Sequence, residues 1–171
     1  MSLDNIKSTL EHHHRDCYGW ALHCCHQDKD LASEVLQDSY VKILENQRGF
    51  IGKSEFKTWA FAIIRNTAVD VFRRRKKETM FIQIDNTLHD TGYETGTEKE
   101  VDRQLMAEFF NHVLDKLSDR QQQLFQLVFY HDLSLNEAAQ VLRLSPGAVR
   151  KYYDRAKKTL ADWFQKRGIE S

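Results

Sequence analysis

Apolar residues recur at steps of three and four along most of this chain, and no segment sustains the alternation typical of a β-strand. The 171 residues include one proline and seven glycines, the residues that most often interrupt helices. This pattern predicts an all-α protein. The helical period is lost over residues 79–100, so we expect two small helical domains, residues 1–78 and 101–171, joined by a linker.

The segment from Ser54 to Lys77 is predicted to form one long helix. Its apolar stripe consists of Phe56, Trp59, Ala60, Ile63, Thr67 and Val71. The other side carries Arg65, Asn66, Asp70 and Arg73, and the segment ends in five consecutive basic residues, Arg73 to Lys77. Such a helix either lies along nucleic acid or is a core helix with a solvated polar face, and this segment alone leaves both open.

Two shorter helices are expected before it. The first spans residues 4–26, and the second begins at Asp30, which we expect to be its cap, and ends near residue 46. The inner stripe of the second helix consists of Ala32, Leu36, Tyr40 and Ile43. Its outer face carries Glu34, Gln37, Asp38 and Glu45. That acidic face either binds a basic protein partner or is simply solvated.

The first helix is rich in histidine and cysteine. These residues are His12, His13, His14, Cys17, His23, Cys24, Cys25 and His26. Helical spacing can bring such groups together around a metal, but no CxxC pair is present, and Cys17 and Cys24 fall on the stripe predicted to be buried. Buried cysteines behave as small apolar residues, so we expect no metal, no cofactor and no disulfide.

A glycine-containing loop, residues 47–53, precedes the long helix and presents Phe50 and Ile51. Exposed apolar side chains in a flexible loop suit a pocket for an unstacked base. The alternative is that Phe50 packs into the core.

The second domain is predicted to contain a helix-turn-helix. After a helix over residues 101–115, Ser118 with Gln121 and Ser134 with Glu137 each form the pattern of a capping box. Ser145-Pro146 then provides a cap followed by proline in the first helical position. Two capped helices with a short connection predict a helix-turn-helix, or else a plain helical hairpin.

The last helix separates into two faces. Its inward face consists of Val149, Tyr152 or Tyr153, Ala156, Leu160 and Phe164. Its outward face near the start carries Arg150, Lys151, Asp154, Arg155 and Lys158. This is the part of a recognition helix that meets base edges in the major groove. Asp154 either accepts from a cytosine amino group or pairs with Arg150 and Lys158.

Net charge is zero, but the charges are unevenly distributed. Residues 79–100 hold five acidic residues and one basic residue, which makes the predicted linker acidic. Basic residues concentrate at Arg73 to Lys77 and between Arg143 and Arg167. Local patches, rather than net charge, set the potential at a phosphate backbone, so nucleic-acid binding stays compatible with neutrality.

Four stretches in this order resemble a known family. They are EVLQDSYVKIL from Glu34, FKTWAFAIIRNTAVDVFRRR from Phe56, LSDRQQQLFQL from Leu117 and LSLNEAAQVLRLSPGAVRKYYDRAKKTL from Leu133. The chain resembles the extracytoplasmic-function (ECF) group of the sigma-70 family, bacterial transcription initiation factors built from only two of the family's conserved domains. The resemblance covers residues 6–78 and 101–166. It implies a region 2 helical bundle and a region 4 helix-turn-helix.

The resemblance also implies function and site residues. A family member binds core RNA polymerase through its β′ and β subunits, directs it to promoters and assists melting. The implied core-binding residues are Glu34, Gln37 and Asp38. The implied minus-ten residues are Phe50, Ile51, Lys53, Trp59, Arg65, Asn66, Arg73 and Arg74. The implied minus-thirty-five residues are Arg150, Lys151, Asp154, Arg155 and Lys158. An anti-sigma factor is a further implied partner.

Arg143 departs from the family pattern, which commonly has glycine at this point of the turn. A left-handed conformation would cost a non-glycine residue ~1–2 kcal/mol. We therefore expect the turn to take another shape.

Other classes of function remain open at this point. A stand-alone helix-turn-helix regulator, a metal- or redox-responsive DNA-binding protein and an inactive sigma-like antagonist each fit part of the pattern. No catalytic constellation, phosphate-binding loop, signal peptide or membrane-spanning run is recognisable, so we expect a cytoplasmic protein that is not an enzyme.

Overall fold

A computed structural model describes residues 2–52, 54–79, 112 and 114–166. These ranges contain six α-helices and no strand, which confirms the all-α class. The helices are α1 (Leu3–Cys24), α2 (Lys29–Glu45), α3 (Phe56–Thr79), α4 (Asp119–Phe125), α5 (Leu135–Leu142) and α6 (Pro146–Lys166). A 3₁₀ turn, Gln47–Gly49, follows α2, and a π-helical turn, Gln126–Tyr130, continues α4.

Part of the predicted organisation lies outside the described residues. The helix α3 includes Thr79, the first residue of the predicted linker. Residues 80–100, and most of the helix predicted over residues 101–115, are not among the residues that the structure describes. The domain boundaries therefore stay a prediction.

The first unit is a bundle of α1, α2 and α3, each packed on the other two. Ser2 caps α1, and its hydroxyl accepts from the Asn5 amide. The cap of α2 is Asp28, whose Oδ1 accepts from the Leu31 amide at 3.0 Å, so the prediction of Asp30 was wrong. Asp30 lies in the first turn instead, where its negative charge interacts favourably with the positive end of the helix dipole.

Trp20 lies at the centre of this bundle and is fully buried. Its indole Nε1 donates to the Phe61 carbonyl oxygen at 3.1 Å, and its ring stacks on the Phe61 ring with centroids 5.7 Å apart. A second apolar cluster closes the other end of the bundle. It contains Ile6, Leu10, Ile43, Phe56 and Ala60.

The second unit contains the predicted helix-turn-helix, formed by α5 and α6. Both capping boxes are present: Ser118 and Gln121 begin α4, and Ser134 and Glu137 begin α5, each pair with both reciprocal bonds. Ser145 Oγ accepts from the Ala148 amide at 3.1 Å at the start of α6. These local signals therefore positioned three helix starts correctly.

Arg143 adopts the left-handed conformation, with φ 53° and ψ 44°, so the expectation of another turn shape was wrong. The Arg143 amide donates to Gln140 O at 3.3 Å, and the Leu144 amide donates to Ala139 O at 3.0 Å. These bonds satisfy carbonyls at the end of α5, as in the usual left-handed helix ending. The turn therefore keeps its ordinary shape despite the Cβ atom of Arg143.

We expect Arg143→Gly to raise the free energy of unfolding by about 0.5–1 kcal/mol, because glycine removes the Cβ penalty and loses part of that gain to backbone entropy. Urea unfolding followed by circular dichroism measures the change. Gln140→Gly, three residues earlier and exposed inside α5, is the matched control and should lose ~1 kcal/mol. A less stable Arg143→Gly protein would contradict the strain argument.

Candidate nucleic-acid interface

The N-terminal half of α6 exposes the residues predicted to read duplex DNA. Arg150, Lys151, Asp154, Arg155 and Lys158 are all exposed. On the opposite face of α6, Val149 and Ala156 are buried, which anchors the helix in the second unit. Among the described residues, no ion pair within 4.0 Å joins Asp154 to Arg150 or Lys158. The helix therefore presents its charged groups to the outside.

The two apolar residues of the loop before α3, Phe50 and Ile51, lie in different environments. The Phe50 ring packs on Phe56 and Trp59, with centroid distances of 5.6 and 5.3 Å, so Phe50 and Trp59 lie together at the edge of the second cluster. Ile51 projects outward with 65% of its surface exposed. Lys53 lies outside the described residues. For Phe50, the alternative of packing against the core is the one observed.

The basic residues of α3 separate into two groups. Arg73 and Arg74 are exposed near the end of the helix, whereas Arg65 and Asn66 are half-buried. Arg65 Nε donates to Gln123 Oε1 of α4 at 3.3 Å, and burial lowers the pKa of its guanidinium. The structure therefore does not bring all of the predicted minus-ten residues together on one open face.

The predicted core-binding residues lie on the outer face of α2. Glu34 and Gln37 are exposed, and Asp38 is half-buried. Glu34 Oε2 accepts from Arg75 Nη2 of α3 at 3.2 Å, an exposed pair that contributes little to stability. These three residues give the outer face of α2 an acidic and amide character.

The two units pack against each other, which the sequence pattern did not predict. The helix α3 contacts α5 through a second face, on which Thr58, Phe61, Ile64 and Ala68 are buried. The steps of three and four from Phe61 to Ala68 were the available signal. They were overlooked because the first stripe already accounted for a core-facing side.

His131, from the loop after the π-helical turn, lies between the units and is 3% exposed. Its ring meets the Phe61 ring edge to face at a centroid distance of 4.8 Å. Lys57 Nζ donates to the His131 carbonyl oxygen at 2.9 Å and pairs with Asp16 at 3.0 Å. His131 Nδ1 is buried without a hydrogen-bond partner.

Two histidines are held neutral. Burial lowers the pKa of His131 to about 4, with the Lys57 charge adding to it, and burial lowers the pKa of His23 to about 4, with His26 and His131 adding to it. A histidine in the unfolded chain titrates near ~6.5. Between those values the unfolded state binds more protons, so stability falls as pH falls through this window.

Above pH ~6.5 these two histidines should not change the free energy of unfolding. As the pH falls from there towards ~4, they should lower it. His131→Phe keeps an aromatic ring and removes the titration, so its decline should be shallower, by at most ~1.4 kcal/mol per pH unit. Urea unfolding at several pH values measures both slopes. If His131→Phe and wild type lose stability equally steeply as the pH falls, His131 does not contribute to the pH dependence.

The three cysteines are buried and free. Burial raises the pKa of Cys17 and of Cys25 to about 11, and it raises the pKa of Cys24 as well. These thiols are protonated near neutral pH, whereas reactive or metal-binding cysteines are thiolates. Within the described ranges, no three His, Cys, Asp or Glu side chains are arranged to hold a metal ion. The geometry gives no support to a metal or redox sensor.

The fold and the exposed face of α6 define a helix-turn-helix DNA-binding protein with an additional helical bundle. Family models for sigma-70 region 2 and sigma-70 region 4 match residues 9–78 and 110–160. The chain belongs to the sigma-70 family, within its ECF group. None of the helices in the described ranges is long and apolar enough to cross a membrane.

Several sigma factors are similar to this chain over most of their length. The ECF RNA polymerase sigma factor SigX of Bacillus subtilis is 28% identical over 159 residues, which cover 86% of this chain and 77% of SigX. The sigma factor YlaC of the same organism is 27% identical, covering 92% and 90%. The sigma factor RpoE, solved with the anti-sigma factor NepR from Bartonella quintana, matches with a TM-score of 0.68 at 22% identity, covering 94% and 97%.

Proposed function

We propose that this protein is a transcription initiation factor that binds core RNA polymerase, directs it to specific promoters and assists melting. The exposed basic face of α6, in the same chain as a region 2 bundle, is the observation that carries the proposal. Duplex reading needs a helix in a groove, whereas melting needs aromatic and single-strand contacts. The two units supply these two kinds of surface.

The residues of the α6 face are proposed to bind the minus-thirty-five element. Arg150 and Arg155 suit guanine edges or phosphates, because a guanidinium donates in a fork. Lys151 and Lys158 suit phosphates, and Asp154 suits a cytosine amino group. Their exposure supports these roles.

The minus-ten element is proposed to bind the loop and α3. Ile51 follows Phe50 in the chain and is exposed, and the Phe50 ring packs on Trp59, so these residues would provide an apolar edge for an unstacked base. Arg73 and Arg74 would hold phosphates along the same helix, and Lys53, Arg65 and Asn66 complete the proposed set. Arg65 is the member of this set that bonds to α4.

Core polymerase is proposed to bind the outer face of α2 through Glu34, Gln37 and Asp38. An anti-sigma factor is a second proposed partner, since the similar RpoE structure contains one. We place the protein in the cytoplasm with the polymerase.

Size exclusion with bacterial core RNA polymerase, followed by transcription from the promoter upstream of its own gene, tests the function. Co-elution and promoter-dependent initiation are expected. DNA binding by the protein alone, without co-elution, would instead favour the stand-alone regulator. Co-elution without initiation would favour a sigma-like antagonist.

Asp38→Arg should weaken core binding about tenfold or more, because it reverses a charge on the proposed acidic face. Fluorescence titration of labelled protein with core polymerase measures the dissociation constant. Asp162→Arg, the same charge change at an exposed position of α6, should bind as wild type. An unchanged affinity for Asp38→Arg would remove the α2 face from the polymerase contact.

A further inference from the structure

One position of the apolar stripe of α1 carries a histidine. The buried residues of this helix are Ile6, Leu10, Cys17, Trp20, Ala21 and Cys24. His13 lies three residues after Leu10 and four before Cys17, which continues the stripe at a place where an apolar residue is the ordinary choice. His13 is half-buried, so part of it is open to solvent. It belongs to none of the three proposed binding sites.

His13 is connected to the aromatic residues that we assign to minus-ten binding, Phe50 and Trp59. Its ring stacks on the Phe56 ring, with centroids 6.3 Å apart and an angle of 23° between the planes. Phe56 in turn meets the rings of Phe50 and Trp59, at centroid distances of 5.6 and 5.7 Å. The ring of His12, which is exposed, meets His13 edge to face at 5.0 Å. Five rings from α1, the loop and α3 therefore form one connected series.

The His13 ring is neutral near pH 7. Burial lowers the pKa of its imidazole, the charges of His12 and Lys57 add to this effect, and Asp16 opposes it. A neutral aromatic ring binds an unpaired base by stacking, and it does so with little dependence on which base is present. A cationic side chain would instead bind a phosphate and release counterions. His13 is therefore suited to a base rather than to a phosphate.

We propose that His13 of α1 binds a second unstacked base of the melted promoter, next to the base proposed to lie at Phe50 and Trp59. The inference rests on the proposed function, because bases become unstacked only where the promoter is melted. The minus-ten site then extends from the loop and α3 onto the first helix. Each base that stacks on a protein ring is held out of the duplex, so a second stacked base shifts the promoter further towards the melted state.

His13→Ala in the polymerase holoenzyme tests this role. Holoenzyme is assembled with each variant on the cognate promoter, and a fluorescent base analogue in the minus-ten element reports the melted fraction. His13→Phe keeps an aromatic ring at the same place. His14→Ala is the matched control, because His14 is exposed and turns towards α2, where its Nδ1 lies 3.0 Å from the Tyr40 hydroxyl.

For His13→Ala we expect the ratio of melted to unmelted promoter to fall about tenfold, because the stacking contact with the base is lost. Binding to core polymerase and to the unmelted promoter should be unchanged. His13→Phe and His14→Ala should both keep the wild-type ratio. The loss of promoter affinity with rising salt should have the same slope in every variant, since a neutral ring releases no counterions.

Circular dichroism of the free variants checks that they are folded. If His13→Ala is unfolded, His13→Leu replaces it with the same expectations, because leucine restores an apolar stripe residue and has no ring.

Four results would overturn the proposal while leaving the proposed function in place. Unchanged melting in His13→Ala would show that no base stacks on this residue, and an equal loss of polymerase binding would show that the ring only supports the bundle. Failure of His13→Phe to keep the wild-type ratio would exclude stacking, and a shallower salt slope in His13→Ala would indicate a phosphate contact. If the wild-type protein itself neither binds polymerase nor melts a promoter, the proposed function falls and this inference with it.

Discussion

Arg150→Glu should lower transcription from the cognate promoter by at least ~100-fold while leaving binding to core polymerase unchanged. Arg150 is exposed on the outward face of α6, within its second turn. A lost bidentate base contact costs ~1–3 kcal/mol, and a carboxylate in the groove adds repulsion from the phosphates. Multiple-round transcription on the promoter and size exclusion with polymerase measure the two quantities.

Lys166→Glu is the matched control for this charge reversal. Lys166 is exposed at the last residue of the same helix, about 16 residues or ~24 Å from Arg150 at 1.5 Å per residue. Its variant should transcribe as wild type. Equal transcription from Arg150→Glu and wild type would show that α6 does not read this promoter.

Phe61→Ala should reduce the free energy of unfolding by about 3–5 kcal/mol. Truncation of a buried phenylalanine removes its transfer free energy and leaves a cavity. Phe61 is fully buried and meets the rings of Trp20 and His131, so the loss affects the first bundle and the contact between units. Since domains are stable by ~5–15 kcal/mol, this is a large part of the total.

Phe129→Ala makes the same chemical change at a position that is 50% exposed, and it should cost less than half as much. Urea unfolding followed by tryptophan fluorescence and circular dichroism compares the two. A Phe61→Ala loss no larger than that of Phe129→Ala would contradict the burial of Phe61 between the units.

Local signals predicted much of the second unit correctly. Ser134 and Glu137 bond to backbone amides within three residues, so their spacing is enough to predict the start of a helix. The predicted cap of α2 was wrong, because Asp28 and Asp30 both qualify locally and only the path of the chain after α1 selects Asp28. The predicted turn shape at Arg143 was also wrong, because the bonds that end α5 hold this residue in the left-handed conformation.

The sequence predicted which residues of the candidate site share one face of a helix. It did not predict how those helix faces pack against each other. The exposure of Arg150 and its neighbours follows from helical periodicity, since their apolar counterparts had to point inward. The burial of Arg65 does not follow from periodicity. It requires knowing that Gln123 of α4 lies opposite, 58 residues away in the chain.

By itself, the sequence determined the helices of the described ranges, the caps of α4, α5 and α6, the helix-turn-helix and the likeness to the sigma-70 family, because each depends on residues a few positions apart. Only the tertiary structure decided that Phe61, His131 and Lys57 meet and that the second face of α3 is covered. An apolar helix face must be buried, but its amino-acid composition does not determine which other surface packs on it. That choice depends on shape and register across distant segments, which no local pattern contains.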